Sequence, residues 1–210
     1  DGKSKIEHVK DMINNLIFHK KIPFKTILMD KWYASAKMMM FIKSLNKIFY
    51  CPIISSRLVD DTGGIEKYKR VTALEWSKKE LLKGKIVKIK RFPGSNKVKL
   101  FRVTEQNSTE YIATNDIDQD SSDIAKTMCD IRWKVEEFHR ELKQVTGIER
   151  CQCRKARIQR NHIGCAILAW VRLKQLAYQS GNTIYQIKFG QLKNYLTNEL
   201  LNPSVKMAFA

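Results

Sequence analysis

The stretch C-D-I-R-W-K-V-E-E-F-H-R-E-L-K, residues 129–143, contains no Pro and no Gly and predicts a continuous helix. At about 100° per residue, four polar side chains fall within roughly 60° of one another: Arg132, Glu136, His139 and Lys143. A separate apolar stripe follows spacings of four, three and four: Ile131, Val135, Phe138 and Leu142. We expect the stripe to be buried, so that a neighbouring face presents one carboxylate between two cations.

On an ordinary helix, such a face would be a solvated surface whose Arg–Glu pair contributes about 0.2–0.5 kcal/mol. The spacing, however, resembles a signature of bacterial insertion-sequence transposases of the DDE type. That family carries a Tyr, an Arg three residues on, a Glu four further and a Lys seven further, and Arg132, Glu136 and Lys143 stand at those spacings. Trp133 and the F-H-R segment at 138–140 are also similar to the family, whereas Cys129 stands where the family has its Tyr.

A second acidic position lies upstream. The run F-K-T-I-L-M at 24–29 is short and largely apolar and ends at Asp30, which predicts a buried parallel strand with a carboxylate at its carboxyl edge. Open α/β sheets place their sites at such edges, although an Asp after a strand is more often a turn or cap residue. The motif D-K-W-Y-A-S at 30–35 resembles the second acidic motif of the same transposase family.

The resemblance implies DNA strand cleavage and strand transfer at insertion-sequence ends. It assigns Asp30 and Glu136 as catalytic carboxylates that hold two Mg²⁺ (or Mn²⁺) ions, which stabilise the attacking and leaving oxygens of a phosphodiester. Arg132 and Lys143 would hold DNA, assisted by His139 and Arg140. Three aromatic residues are expected in structural or DNA-end contacts: Trp32, Tyr33 and Trp133. The implied partner is DNA, with a homodimer assembled on it.

Composition agrees with an anionic partner, because 39 Lys and Arg face 21 Asp and Glu, for a net charge of +18. Charge alone does not distinguish DNA from RNA or from an anionic membrane. Five cations without an intervening acid form a basic stretch: Arg150, Arg154, Lys155, Arg157 and Arg160. No apolar run approaches the roughly 18 residues of a membrane span, and no signal peptide opens the chain. With an odd number of cysteines, 5, at spacings without a disulfide framework, we expect reduced thiols and a cytoplasmic setting. The family resemblance implies a bacterial, nucleoid-associated protein.

The fold class expected from the resemblance is α/β, a ribonuclease-H-like core with a β-rich insertion and C-terminal helices. We assign residues 1–54 to the core, 55–118 to the insertion and 119–210 to the helical part that carries the Glu helix. The pattern predicts helices over 4–20 and 34–46, a loop over 55–66, and strands over 86–92, 97–103 and 109–114. Further helices are predicted from near Asp123, over 162–177 as a helix buried nearly all round, and over 184–200.

Three further clusters have two interpretations each. Asp60 and Asp61 are metal ligands or solvated loop residues. The hairpin lysines form a polar outer face or a phosphate-binding row: Lys88, Lys90, Lys97 and Lys99. Cys151, Cys153 and His162 could suggest zinc, but they lack the paired ligand spacing of a structural zinc site.

The resemblance also implies a third carboxylate, an Asp on the first strand of the sheet, far upstream of the second. The acids before Asp30 are Asp1, Glu7 and Asp11, which precede or lie on a helix-like segment. We therefore expect this chain to lack the first catalytic Asp. It would be either a fragment of a longer transposase, inactive by itself, or a non-catalytic DNA-binding remnant.

Overall fold

The computed structural model describes residues 2–63, 68–105 and 108–202. Residue contacts group the chain into two compact units, Asp1–Trp133 and Lys134–Ala210. The first unit contains a mixed sheet with helices, and the second is helical.

The N-terminal helix α1, Lys5–Asn14, begins at a capping box. The Ser4 hydroxyl accepts from the Glu7 amide, and the Glu7 carboxylate accepts from the Ser4 amide. Each bond satisfies an amide that the first turn of a helix leaves unpaired. The chain continues as a π turn, Asn15–His19, so the helix predicted over 4–20 is confirmed with a wider last turn.

Strands β1 (Thr26–Leu28) and β2 (Ile48–Ile53) are parallel and are connected by α2 (Ala36–Ser44). A parallel strand before Asp30 is therefore confirmed, but its full burial is not. The β1 side chains are half-buried because, within the described residues, β1 is an edge strand that pairs with β2 alone.

The other strands extend the same sheet in antiparallel pairs, in the order β1-β2-β7-β6-β5-β3-β4 for the described part of the chain. These strands and the short helix α3 have the following bounds: β3 Leu58–Asp60, β4 Lys69–Arg70, α3 Lys78–Lys83, β5 Lys85–Ile89, β6 Val98–Glu105 and β7 Ser108–Thr114. The predicted hairpin and third strand are confirmed as β5, β6 and β7. The loop predicted over 55–66 is wrong at β3, where Val59 pairs with Ile89 of β5; its residues 64–67 lie outside the described ones.

Helices cover both faces of the sheet. On one face, Met38, Met39 and Ile42 of α2 are fully buried in a cluster with Phe49 of β2. On the other face, α4 (Ser122–Ile131) joins a cluster with the side chains of β2, β6 and β7. The sheet therefore has two apolar faces, each covered by a helix. This arrangement confirms the mixed α/β architecture.

The second unit has a small helical core. Helix α5 (Trp133–Glu141) runs into a π turn (Leu142–Thr146), followed by α6 (Ala156–Ser180) and α7 (Ile184–Leu201). Val145, Ala177 and Ile184 are buried together. The helix predicted over 162–177 is confirmed within the longer α6, which ends at Gly181, and the predicted α7 is confirmed as well. Residues after Asn202 lie outside the described ones.

The burial predicted for residues 162–177 is wrong. Among the described residues of α6, Ala166 and Ala177 alone are buried, whereas Ile163, Leu168 and Val171 are at least 44% exposed. The helix packs through one stripe, on the side of Trp170 and Leu173. Most of its described contacts are with α7 and the π turn, and the apolar residues named above are exposed.

The single helix predicted over 129–143 is interrupted at both ends. The Arg132 amide donates to the Cys129 carbonyl at 3.0 Å, an i→i−3 bond that tightens the turn between α4 and α5. The π turn that starts at Leu142 widens the helix and rotates the residues that follow. Four side chains at regular helical spacing therefore do not share one uninterrupted face. The apolar stripe is also only partly buried: Leu142 is inside, whereas Ile131 and Val135 are about half exposed.

Candidate functional site

Asp30 lies just beyond the carboxyl end of β1, as predicted. The Met29 amide donates to the Tyr50 carbonyl of β2, which continues the parallel pairing by one residue. Asp30 then begins a 3₁₀ turn, Lys31–Tyr33: its Oδ1 accepts from the Lys31 amide at 2.7 Å and its carbonyl accepts from the Tyr33 amide. In the described part of the chain, Oδ2 makes no hydrogen bond. The cap holds the half-buried carboxylate in one orientation at the edge of the sheet.

The aromatic pair after Asp30 has one exposed and one half-buried member. The Trp32 side chain is 57% exposed, with Lys5 Nζ 5.6 Å from its ring centroid. Tyr33 packs against the main core and meets Trp32 edge-to-face at 4.7 Å. The exposed indole is thus presented next to Asp30 by a ring that is anchored in the core.

Cys129 and Arg132 have different environments, although the signature places them three residues apart. Cys129 is buried on α4 in a cluster with Tyr50 and Phe101. Burial raises the pKa of its thiol to about 12, so the side chain is neutral and out of reach of a DNA phosphate. Arg132 is half-buried, with its guanidinium carbon 5.1 Å from the centroid of the Trp133 ring.

The second unit carries Glu136 on the exposed first turn of α5. His139 and Arg140 are exposed in the last turn of the same helix. Lys143 follows in the π turn, and its Nζ forms an ion pair of 2.6 Å with Glu149. Both side chains of this pair are more than half exposed, so solvent screens their attraction.

The basic stretch is exposed along its whole length. It runs from a 3₁₀ turn (Ile148–Arg150) through an extended segment into the first turns of α6. Gln159 Nε2 donates to the Cys153 carbonyl, and the His162 ring contacts the Ile148 carbonyl at 3.1 Å. The segment is therefore tied to α6 while its cations face solvent. His162 is engaged with backbone, which gives no support to a zinc site.

The acidic pair after β3 is structural. Asp60 Oδ1 accepts from the amides of Thr62 and Gly63. The Asp61 side chain is 9% exposed and pairs with Lys69 and Lys85. Burial alone would raise the pKa of Asp61, but hydrogen bonds from the two lysines lower it below the usual value. Because both lysines already neutralise this carboxylate, a metal-ligand role for it is not supported.

The predicted lysine row does not form as a face. Lys99 is buried and donates to the Ile117 carbonyl, and Lys88 donates to the Gly94 carbonyl at 2.7 Å. Lys90 and Lys97 remain exposed. The correction follows from register, since Lys99 lies opposite Thr114 of β7 in the interior of the sheet.

Sequence reasoning missed the buried Glu141. It is 5% exposed at the end of α5. Trp170 Nε1 donates to its Oε2 at 2.9 Å, and Lys174 Nζ donates to its Oε1 at 2.6 Å. Phe138 meets the Trp170 ring edge-to-face at 4.8 Å. The sequence did offer a signal, because Glu141 lies three residues after Phe138 and so shares its helix face. A carboxylate that is buried on an apolar face needs hydrogen-bond or ion-pair partners.

The carboxylate set for a metal pair is incomplete within residues 2–63, 68–105 and 108–202. No group of three or more His, Cys, Asp or Glu side chains that could hold a metal ion occurs among them. Asp30 and Glu136 have the hard oxygen donors that Mg²⁺ prefers, but they belong to different units and need further ligands. None of the described helices is both long and apolar enough to cross a membrane.

The family model described as the transposase DDE domain matches residues 2–172, which include both acidic motifs and the basic stretch. A comparison with curated proteins found no match.

Proposed function

Since this chain belongs to the transposase DDE domain family, we propose that it contributes to DNA strand cleavage and strand transfer at insertion-sequence ends, with Asp30 and Glu136 as two of the catalytic carboxylates. The observation that carries the assignment is the position of Asp30. It follows a parallel strand at the carboxyl edge of the sheet, in a capped turn with one carboxylate oxygen free of hydrogen bonds among the described residues. Open α/β sheets use this position for chemistry.

The fold proposed is ribonuclease-H-like. The parallel β1–α2–β2 unit and the helices on both faces support it. Residues 1–54 would belong to the core, and residues 119–210 would supply its helical part with the Glu136 helix. Residues 55–118 would be the insertion, whose strands β3 to β7 extend the core sheet.

The cofactor proposed is Mg²⁺, or Mn²⁺, held in part by Asp30 and Glu136. When bound, a pair of such ions stabilises charge on the attacking and leaving oxygens of the phosphodiester. The role of this chain's residues is to offer carboxylate oxygens from a capped turn and from the first turn of α5. A third carboxylate is expected from the resemblance, which places an Asp on the first strand of the sheet, far upstream of Asp30. We therefore propose that the chain is part of a longer transposase.

DNA would be held by cations around these carboxylates. Arg132 and Lys143 are assigned to phosphates near the cut strand, with His139 and Arg140 beside them. The basic stretch would contact the backbone further away, where each phosphate contact releases counterions. Exposed Trp32 and Trp133 are suited to stacking on sugars or unpaired bases, while Tyr33 is the structural anchor. A homodimer assembled on DNA and a location on the bacterial nucleoid complete the proposal.

A second candidate is a non-catalytic DNA-binding remnant. It is favoured by one observation, the exposed basic stretch, because these cations can bind DNA whether or not the carboxylates cut it. Such a protein would keep the fold and the positive charge without cutting DNA.

Nicking of a labelled transposon-end duplex distinguishes the two candidates. The 210-residue chain and a version extended upstream to the genomic start codon are assayed with and without Mg²⁺. We expect Mg²⁺-dependent nicking by the extended protein alone, with a loss of at least about 100-fold in its Glu136→Gln and Asp30→Asn variants, a cost typical of losing a charged catalytic group. Asp118→Asn, an exposed carboxylate in a turn outside the site, is the matched control and should nick normally. Salt-sensitive DNA binding without nicking in either length would support the remnant instead.

A further inference from the structure

A cavity of about 520 Å³ opens in the first unit beside the start of α2. Four of its lining side chains are cations, which we name the basic pocket: Lys37, Arg57, Lys90 and Arg91. The lining includes no carboxylate, and Met40 and Pro93 supply apolar wall. The four cations lie outside the acidic motifs and the basic stretch, although Ser35, the last residue of the D-K-W-Y-A-S motif, also lines the cavity. The cavity therefore concentrates positive charge at a separate place on the same unit.

The cations of the basic pocket differ from the other lysines of the sheet. Lys69 and Lys85 pair with Asp61, and Lys99 donates to a carbonyl. Within the part of the chain that the structure describes, no ion pair joins a pocket cation to a carboxylate. Burial, with the nearby charge of Arg91, lowers the pKa of Arg57. Gathered like charges are unfavourable by themselves, so an anion in the cavity would offset their repulsion.

Arg57 is the innermost of the four as judged by exposure, since the other three cations are exposed and it is half-buried. Its Nη2 donates to the Ala34 carbonyl at 3.1 Å, which fixes the guanidinium. Its Nε is buried and has no hydrogen-bond partner among the described residues. A buried donor without an acceptor is unfavourable, so the hydrogen-bonding capacity of the guanidinium that lines the cavity is not used up by the described residues.

Two backbone features support the same polarity. The turn after β5 holds Arg91 at φ +74, in the left-handed region that non-glycine residues rarely adopt. The amides of Lys90 and Phe92 hold this turn through bonds to the Leu58 and Ile89 carbonyls. Across the cavity, Ser35 caps α2, whose amino-terminal end carries partial positive charge. The turn thus fixes the backbone from which Arg91 lines the cavity, and the end of α2 adds partial positive charge there.

We infer that the basic pocket binds a backbone phosphate of a DNA strand, as an anchoring contact separate from the carboxylate site. A phosphodiester oxygen can accept from several guanidinium and ammonium donors at once. The volume lies in the range of small-ligand sites, about 300–1,000 Å³, so a sugar fits beside the phosphate, against Met40 and Pro93. DNA as the source of the phosphate rests on the proposed function; free phosphate and mononucleotides share the chemistry and are separated by the test below.

The test measures binding of a labelled DNA duplex by fluorescence anisotropy over a series of salt concentrations. The variant replaces three pocket cations, Lys37→Gln, Lys90→Gln and Arg91→Gly, and leaves Arg57 in place because its bond to Ala34 supports the fold. Glycine accepts the positive φ at Arg91, so the change removes charge without adding strain. The matched control is Lys21→Gly, Lys25→Gln and Lys79→Gln, which removes three exposed cations and also relieves a positive φ, +49, at Lys21.

We expect the pocket variant to bind DNA at least about tenfold more weakly than the control, and the slope of log K against log salt to fall by about 0.9, the value for one neutralised phosphate. Equal affinity and slope in the two variants would overturn the proposal. Circular dichroism melting of both variants checks that each is folded. If the pocket variant melts early, the single Arg91→Gly variant is compared with Lys21→Gly under the same criterion.

Inorganic phosphate and a deoxynucleoside monophosphate are used as competitors at constant ionic strength. Weak, millimolar competition by both supports a strand phosphate as the ligand. Micromolar competition by the mononucleotide would overturn the DNA assignment in favour of a small-molecule site, and tighter binding of an RNA duplex than of DNA would overturn it in favour of RNA. Nicking is measured separately, on the protein extended upstream. Pocket-dependent DNA binding without nicking by that extended protein contradicts the proposed function alone. Normal nicking by it, together with pocket-independent DNA binding, contradicts the pocket proposal alone.

Discussion

Residues that the family resemblance assigns to one site have different physical environments in this protein. Asp30 is a half-buried cap at a strand end, with one oxygen free of hydrogen bonds among the described residues. Cys129, which stands at the signature's Tyr position, is 7% exposed in the core. The family resemblance places both residues at the same site. Their burial shows that Asp30 can reach a substrate, whereas Cys129 cannot.

Restoring the aromatic residue should therefore damage the fold without improving DNA binding. Cys129→Tyr forces a larger side chain against Tyr50 and Phe101, and overpacking of this kind lowers the free energy of unfolding by about 1–3 kcal/mol. Urea denaturation measures the loss, and anisotropy should give an unchanged affinity for DNA. Cys165→Tyr, at an exposed position on α6, is the control and should leave stability nearly unchanged. Tighter DNA binding by stable Cys129→Tyr protein would contradict this account.

At the scale of elements, the sheet depends on close contacts where helices and turns enter it. Gly84 follows α3 and leads into β5 with φ +76. A Cβ added there would lie 2.7 Å from Phe101 Cε1 and 3.1 Å from the Leu100 carbonyl oxygen. Phe101 is fully buried in β6, so it has little room to move. Position 84 therefore requires glycine for two reasons: its positive φ, and the lack of space for a Cβ beside Phe101.

A pair of alanine substitutions separates these two requirements. Gly94 has φ +54 and nothing within 4 Å of an added Cβ. Gly94→Ala should cost about 1–2 kcal/mol, the strain of a left-handed backbone. Gly84→Ala should cost about 1–3 kcal/mol more, because its φ of 76 with ψ of 168 is open essentially to glycine alone and because the added methyl group clashes with Phe101. Chemical denaturation of both variants measures the difference; equal losses would mean that β6 shifts freely to admit the methyl group.

At the scale of the whole molecule, the net charge is +18, but some of the cations pair with carboxylates of the protein and others do not. Several lysines form ion pairs within the protein, as in the Lys69–Asp61–Lys85 cluster and the Lys174–Glu141 pair. The basic stretch and the basic pocket are free of such carboxylate pairing within the described residues. These two places, rather than the total charge, should set the affinity for DNA.

Charge removal in the basic stretch tests this distribution. The triple variant Arg154→Gln, Lys155→Gln and Arg157→Gln should lower the slope of log K against log salt by about 0.9 for each DNA phosphate that the protein no longer neutralises. Removal of three exposed cations elsewhere, Lys25→Gln, Lys78→Gln and Lys79→Gln, should change the slope by less than the value for a single phosphate. Salt titration of duplex binding measures both slopes. A similar decrease in the two variants would indicate binding through diffuse charge.

The sequence by itself determined the features that depend on short, regular spacing. The capping box at Ser4, the strand before Asp30, the β5–β6 hairpin and helix α7 follow from local periodicity and turn chemistry, and they are confirmed. The family could also be recognised from the sequence, because each of its two motifs is a short uninterrupted run of residues. The wrong predictions, a fully buried α6, a loop at β3 and an unbroken signature helix, concern whether another element lies alongside.

The tertiary structure alone decided burial and partners. Glu141 became a buried hydrogen-bond acceptor because Trp170 and Lys174 lie on α6, 29 and 33 residues away in the chain. The basic pocket arises because Arg57 and Arg91, which are far apart in sequence, line one cavity with the start of α2. Periodicity tells which side of an element is apolar, but only packing tells what meets that side. Charge is likewise counted in the sequence, whereas its pairing requires distances in space.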